Sequence, residues 1–180
     1  MTAIELLLQR QSTPLLTAPT PSKELLEQIL SAGMRVPDHA GLQPWHFTVI
    51  TGEGLQRLSE LWVSSSNEQT ANLEKIAKMP FRAPMIIVIS TQFVSHEKVP
   101  KQEQLISAAC SAHAMQMAAY ALGFGAMWRT GELAYNEKVK QGLSIDEQDE
   151  IVGFLYIGTP CKAQALKAAK CFENKVSYWK

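Results

Sequence analysis

From Ala108 to Ala119 the chain reads Ala-Ala-Cys-Ser-Ala-His-Ala-Met-Gln-Met-Ala-Ala, small or apolar on nearly every face of a helix. It is the second half of a stretch, Gln102 to Leu122, that Gly123 closes, and that length and terminator predict the longest helix of the chain. A surface helix keeps a solvated stripe; one without it lies in the middle of a core or between subunits. Small side chains there let a sheet or a second helix approach closely. The apolar part is interrupted by Ser107, Ser111, His113 and Gln116 and is shorter than the ~20 residues a bilayer requires, so no membrane partner is expected. The chain must therefore supply other elements that wrap this helix.

Those elements are legible in outline. Thr2-Ala3-Ile4-Glu5 has the spacing of a capping box, predicting a first helix to about Arg10. Pro14, Pro19 and Pro21 hold the next segment extended. Ser22 suits an N-cap, and Leu25, Leu26, Ile29 and Leu30 give helical spacing that stops at Gly33. Pro37, Gly41 and Pro44 make Met34–Pro44 a loop. His46–Thr51 and the continuous apolar run Met85–Ser90 read as strands, the second buried on both faces. Gly125–Arg129 and Ile151–Ile157 add two more, with a short helix near Asn136–Gly142 between them. The expectation is an α+β fold: a mixed central sheet flanked by helices around the long buried helix, in one domain over residues 1–180 with no linker or repeat.

Composition excludes several functions. Seventeen basic residues balance seventeen acidic ones, which argues against a nucleic-acid partner, since phosphate binding on that scale needs surplus Lys and Arg. The N-terminus lacks a basic n-region ahead of Leu6-Leu7-Leu8, so no leader is expected. Three cysteines without a C-x-x-C pair suggest free thiols and a cytoplasmic location, with Cys110 a small core residue. There is no P-loop and no strand followed by G-x-G-x-x-G. The four histidines lack metal spacing, and no serine sits in a G-x-S-x-G elbow.

What remains is a set of polar clusters at element ends: Arg10-Gln11-Ser12, Arg35-Val36-Pro37-Asp38-His39, Gln43-Pro44-Trp45 and Trp128-Arg129-Thr130-Gly131. An arginine holds a phosphate through two parallel charge-assisted bonds, and a nearby hydroxyl fills a third lone pair. Each cluster alone is as consistent with a solvated charge. Met115 and Met117 read as core filling, Trp45 as a packing anchor, and Glu103 as a carboxylate suited to a helix N-terminus, with a dimer contact as its alternative.

Taken in order, the clusters resemble the hallmarks of the nitroreductase family. Ala32–Phe47, with its Pro-containing loop ending in Gln43-Pro44-Trp45, resembles one; Leu122–Gly131 and Ile151–Pro160 resemble two more, and Arg10-x-Ser12 stands at the start. They span almost the whole chain, most like the small single-domain members. The resemblance implies FMN bound at an intertwined homodimer interface, with NAD(P)H as transient electron donor and a small-molecule electron acceptor. Arg10, Gln11 and Ser12 would hold the phosphate and ribityl end. Arg35, Pro37 and His39 would border the flavin from the partner chain, and Trp128, Arg129 and Thr130 from the other side. Gln11 departs from the pattern, where a second arginine is common, and leaves one less positive charge near the cofactor. The implied activity is ping-pong hydride transfer through flavin N5 to a nitro, quinone or similar electrophile, with Arg10 or Arg129 near N1 as the alternative to phosphate binding and no catalytic side chain required. Two alternatives stay open: a flavin-binding protein without turnover, and a dehalogenase or flavin-fragmenting relative, for which no lid residue is identified in Leu61–Pro80.

Overall fold

A computed structural model describes residues 1–67, 69 and 71–180. Its centre is a sheet built on β5 (Ile151–Pro160), which pairs with β3 (Met85–Thr91) on one edge and with β4 (Gly125–Arg129) on the other. β2 (Trp45–Thr51) adds to β3 and ends the sheet on that side, while a two-residue β1 (Leu16–Thr17) pairs with the last residues of β5. Every pairing is antiparallel, where a mixed sheet was expected. The difference follows from connectivity. Run direction reverses at each hydrogen-bonded neighbour, so no two adjacent strands need a right-handed parallel crossover.

Burial on both faces explains the uninterrupted apolar run of β3, whose seven residues are all buried. Met85, Ile87 and Ile89 point to one layer, with Ile29, Ala112 and Met115. Ile86 and Val88 point to the other, with Leu55, Leu58 and Trp62. The first layer is α2 (Lys23–Gly33) and α5 (Lys101–Ala121). The second is α3 (Glu53–Ser65), α4 (Leu73–Lys78) and α6 (Glu137–Gly142). Of the stretch 61–80, positions 68 and 70 lie outside the described residues; the rest supplies the end of α3 and all of α4.

The caps fall where the side chains direct. Thr2 and Glu5 form the reciprocal capping box of α1 (Ala3–Gln9), and Ser22 Oγ accepts from Leu25 N at the start of α2. Asn136 caps α6, and Gly123 turns the chain out of α5 at a φ of 86°. Residue Gln104 anchors the other end of α5: buried, it accepts from Val94 N and donates to the carbonyls of Val94 and Val99. Met115 and Met117 are buried in the core, and Trp45 is buried with its indole N–H on Met34 Sδ, 3.1 Å away.

α5 is not apolar all round in its setting. Ser107, Ala108, Ser111, Ala112, Met115, Gln116 and Ala119 are buried, but Glu103, Ile106 and His113 are exposed and Cys110 is half-buried. The 3- and 4-residue spacing puts those four on one stripe. Cys110 is thus corrected from a core residue to a groove residue. The stripe is open because nothing in one chain covers it.

Candidate functional site

Over that stripe lies an open groove of about 550 Å³, lined by Arg35, Val36 and Pro37 on one wall and Trp128 on the other, with Ile106, Ala109, Cys110, His113 and Ala114 as its floor. Three elements, the loop 34–44, β4 and α5, meet here for local reasons. The loop 34–44 leaves α2 and returns to β2, carrying Arg35 and Pro37 outward, both exposed. Trp128 comes from β4 on the α5 side of the sheet, where Ala126 and Leu155 also point. Its indole N–H donates to Val152 O at 3.3 Å and crosses Gly153 so closely that a Cβ there would stand 2.2 Å from Nε1. Gly153, at a φ of 157°, is what lets the ring lie against β5.

His39 begins a single 3-10 turn in the same loop, and its Nδ1 lies 2.7 Å from Oε2 of Glu103 in the first turn of α5. The loop is thereby joined to the helix that floors the groove. Of the expected site residues, Arg35, Pro37 and Trp128 line the groove, and His39 lies beside it on Glu103.

The others are distributed around it. Trp128 and Arg129 are neighbours on a strand, so their side chains leave opposite faces. Arg129 sits on the α3 side, its guanidinium 5.5 Å from the centre of the Tyr156 ring. Its Nε and the Tyr156 hydroxyl are buried without a hydrogen-bond partner. Burial and the nearby Arg82 cation lower the Arg129 pKa, and burial, partly opposed by Arg129 and Arg82, pushes the Tyr156 phenol up to about 12. Thr130 is exposed just beyond the strand. Arg10 and Ser12 are half-buried where the chain leaves α1 and runs beside β4, with Thr13 N donating to Ala126 O at 2.9 Å.

Gln11 has a long-range contact of its own. It is buried, and its Nε2 donates to Ala165 O at 3.0 Å, fastening the segment that follows β5. The cavity beside it, about 430 Å³, is lined by Tyr120, Phe124 and Lys162 among others. Nothing in the sequence neighbourhood of Lys162 marks it; the return of the chain past Pro160 brings it to the same cavity as Gln11. Glu103 is a helix-end carboxylate by its place in the sequence, and the 3- and 4-residue steps from it to Ile106 and on to Cys110 put it on their stripe. A second groove, about 510 Å³ along Thr48–Thr51 and α3, holds none of the nominated residues and has no aromatic wall.

The arrangement has the chemistry that binds a flat, anionic ligand. Its floor is largely apolar, one wall is an indole, and Arg35 stands in the other. Among the described residues, Arg10, Arg35 and Arg129 have no carboxylate within ion-pair distance. No cluster of His, Cys, Asp or Glu that could hold a metal occurs among the described residues, and none of their helices is long and apolar enough to cross a membrane.

Comparison with known proteins agrees on the family. The model of the nitroreductase family matches residues 7–159. The Escherichia coli K12 protein named "Putative NAD(P)H nitroreductase YdjA" is 47% identical over 163 residues, 89% of each chain. A nitroreductase-like family protein from Bacillus cereus superposes with a TM-score of 0.89 at 25% identity, covering 100% of this chain and 97% of its own. A nitroreductase from Bacteroides fragilis, solved with bound FMN, superposes at 0.76 and 18% identity over the full length of both. The family match over most of the chain and the shared fold carry one conclusion: this chain belongs to the nitroreductase family.

Proposed function

We propose that the protein is an FMN-dependent NAD(P)H oxidoreductase that works as a homodimer and reduces a nitro, quinone or similar electrophilic acceptor. The observation that carries this is the groove over α5, with its indole wall, its apolar floor and Arg35, which has no carboxylate partner among the described residues. The names of the curated relatives and the FMN bound in the Bacteroides fragilis neighbour support it. When bound, FMN supplies the two-electron redox chemistry, accepting hydride from NAD(P)H and passing it to the acceptor.

The chain's own part is binding, orientation and electrostatics. The residues fit such a ligand: Trp128 and the apolar floor of α5 offer flat contact, and Arg35 in the wall offers a guanidinium with no carboxylate partner among the described residues. Arg10 and Ser12 suit the phosphate end, Arg35 and Pro37 the rim, and Trp128 the edge of the ring system. His39 contributes from the loop, and Thr130 offers a hydroxyl at the end of β4. A fixed guanidinium near the anionic edge of a reduced ring favours its accumulation of charge; Arg129, withdrawn to the Tyr156 side, suits this less directly than Arg10.

Homodimerisation is supported by what one chain leaves open. α1 buries no residue, and Leu8, Leu7 and Ile4 are exposed along it, as is Ile106 in the groove. Apolar surface of this extent marks an interaction face.

The test is the absorbance spectrum and the FMN titration of the purified protein. A yellow protein, or one that FMN at 100 times its Kd stabilises by ~2.7 kcal/mol, is expected. NADPH turnover with an artificial acceptor should vanish together with FMN binding in Arg10→Ala. Turnover that persists without bound flavin would refute the assignment.

A further inference from the structure

The loop 34–44 is conformationally expensive. Ala40, Gly41 and Gln43 all have positive φ, at 64°, 65° and 49°, and two of them carry a Cβ. Non-glycine residues hold such angles only where surrounding contacts over-determine them. Within the loop, Asp38 Oδ2 accepts from Gln43 N at 2.7 Å, and Trp45 N donates to Gln43 O at 2.8 Å. Between the loop and α5 there is one side-chain hydrogen bond among the described residues, His39 to Glu103.

The two partners differ in freedom. Glu103 stands in the first turn of α5, where a carboxylate is favoured by the helix dipole, next to the buried Gln104, whose three side-chain hydrogen bonds fix that turn. His39 stands on the strained loop. The rigid member is therefore the carboxylate. Glu103 stands three residues before Ile106 on the same stripe and His39 two residues after Pro37, so the pair lies beside the groove that Ile106 and Pro37 line.

We propose that Glu103 is the positioning residue of His39: it accepts the Nδ1 proton, fixes the ring, and leaves Nε2 as the atom offered to a ligand in the groove. This rests on the proposal above that His39 borders the flavin. The hydrogen bond that one ring nitrogen makes decides which nitrogen carries the proton in the neutral ring, and so whether the other donates or accepts. Without Glu103 a free imidazole favours the opposite tautomer and turns with the loop. Partners that orient a ligating histidine in this way at metal sites are worth about 10–100-fold in affinity, and the same logic applies to an imidazole that bonds an organic ligand.

Two measurements separate this from the flavin assignment. The first needs no flavin: nitrogen-15 NMR of the imidazole rings in the FMN-free protein, with His39→Gln to identify the His39 signals. Wild-type His39 should carry its proton on Nδ1, Glu103→Ala should show the ordinary Nε2–H tautomer, and Glu103→Gln, which keeps a carbonyl acceptor, should restore the wild-type pattern. Identical His39 signals in wild type and Glu103→Ala overturn the proposal. The second is FMN titration by flavin fluorescence. Glu103→Ala should weaken binding by about tenfold, Glu103→Gln should recover most of it, and Glu103→Ala in a His39→Ala background should add nothing. Additive losses overturn the coupling. If the tautomer changes as expected but FMN binds none of these proteins, the flavin assignment falls and with it the ligand-facing half of the proposal.

Discussion

At the scale of single residues, two positions report on the site without belonging to its surface. Gly153 lets the Trp128 indole lie against β5; a methyl group there meets Nε1 at 2.2 Å, Cδ1 at 2.7 Å and the Arg129 carbonyl at 2.9 Å. The backbone oxygen cannot yield, so Gly153→Ala must tilt the indole out of its place. We expect a loss of about 2–3 kcal/mol in urea unfolding and a parallel loss of FMN binding. Unchanged FMN affinity in a folded variant would show that Trp128 does not bound the ligand. Tyr156 carries a buried hydroxyl with no partner, and its phenol pKa is pushed up to about 12. In the unfolded chain it titrates near ~10. From there upward the unfolded state binds fewer protons than the folded one, so the stabilisation present below pH ~10 is lost as pH rises through the folded value, up to about 3 kcal/mol. Tyr156→Phe removes the desolvated hydroxyl and keeps the ring under Arg129. Urea midpoints should rise by about 1 kcal/mol equivalent at pH 7, and fall less steeply from pH 9.5 to 11 than in wild type. A lower midpoint at pH 7 would mean that the hydroxyl has a partner.

At the scale of elements, periodicity located most of the frame. The caps at Thr2 and Ser22, the two-faced burial of β3 and the span of α5 follow from local rules that neighbours cannot easily override. Sheet direction did not follow, because side-chain alternation is the same in parallel and antiparallel strands. Adjacency in a motif does not mean a shared face: Trp128-Arg129 is one word in sequence and two faces in the sheet. Long-range uses were hidden altogether. Gln11 looks like a ligand position that lost its charge, yet its amide fastens Ala165, 154 residues away. That bond and the weaker approach of Thr13 Oγ1 to Gln164 Oε1, 3.5 Å, are side-chain ties between the N-terminal segment and the chain beyond β5. Residues 161–180 are otherwise exposed. Gln11→Ala should therefore release this segment: trypsin should cut after Lys162, Lys167 and Lys170 severalfold faster, with the unfolding midpoint almost unchanged. Cleavage at the wild-type rate would show that the tie carries no weight.

At the scale of the whole molecule, the decisive quantity is what a single chain leaves uncovered. The formal charge is zero, so no net repulsion opposes self-association. α1 contributes no buried residue, the α5 stripe is bare at Ile106, and Phe172, Tyr178 and Trp179 are exposed beyond β5. Neither wall of the groove closes it from the side that faces solvent. A second copy seated on α5 would cover Ile106, which is 55% exposed, and convert an open trough into an enclosed cleft. Ile106→Glu places a charge at that contact without touching the core. A carboxylate buried between subunits without a partner costs several kcal/mol, whereas on a monomer it remains solvated. We expect wild-type protein to scatter light as twice the 20.0 kDa chain mass and Ile106→Glu as a single chain. The variant should retain its helical circular dichroism and lose FMN at the same time. If it stays dimeric and yellow, the copies meet elsewhere; if it becomes a monomer that still binds FMN, the groove is complete within one subunit.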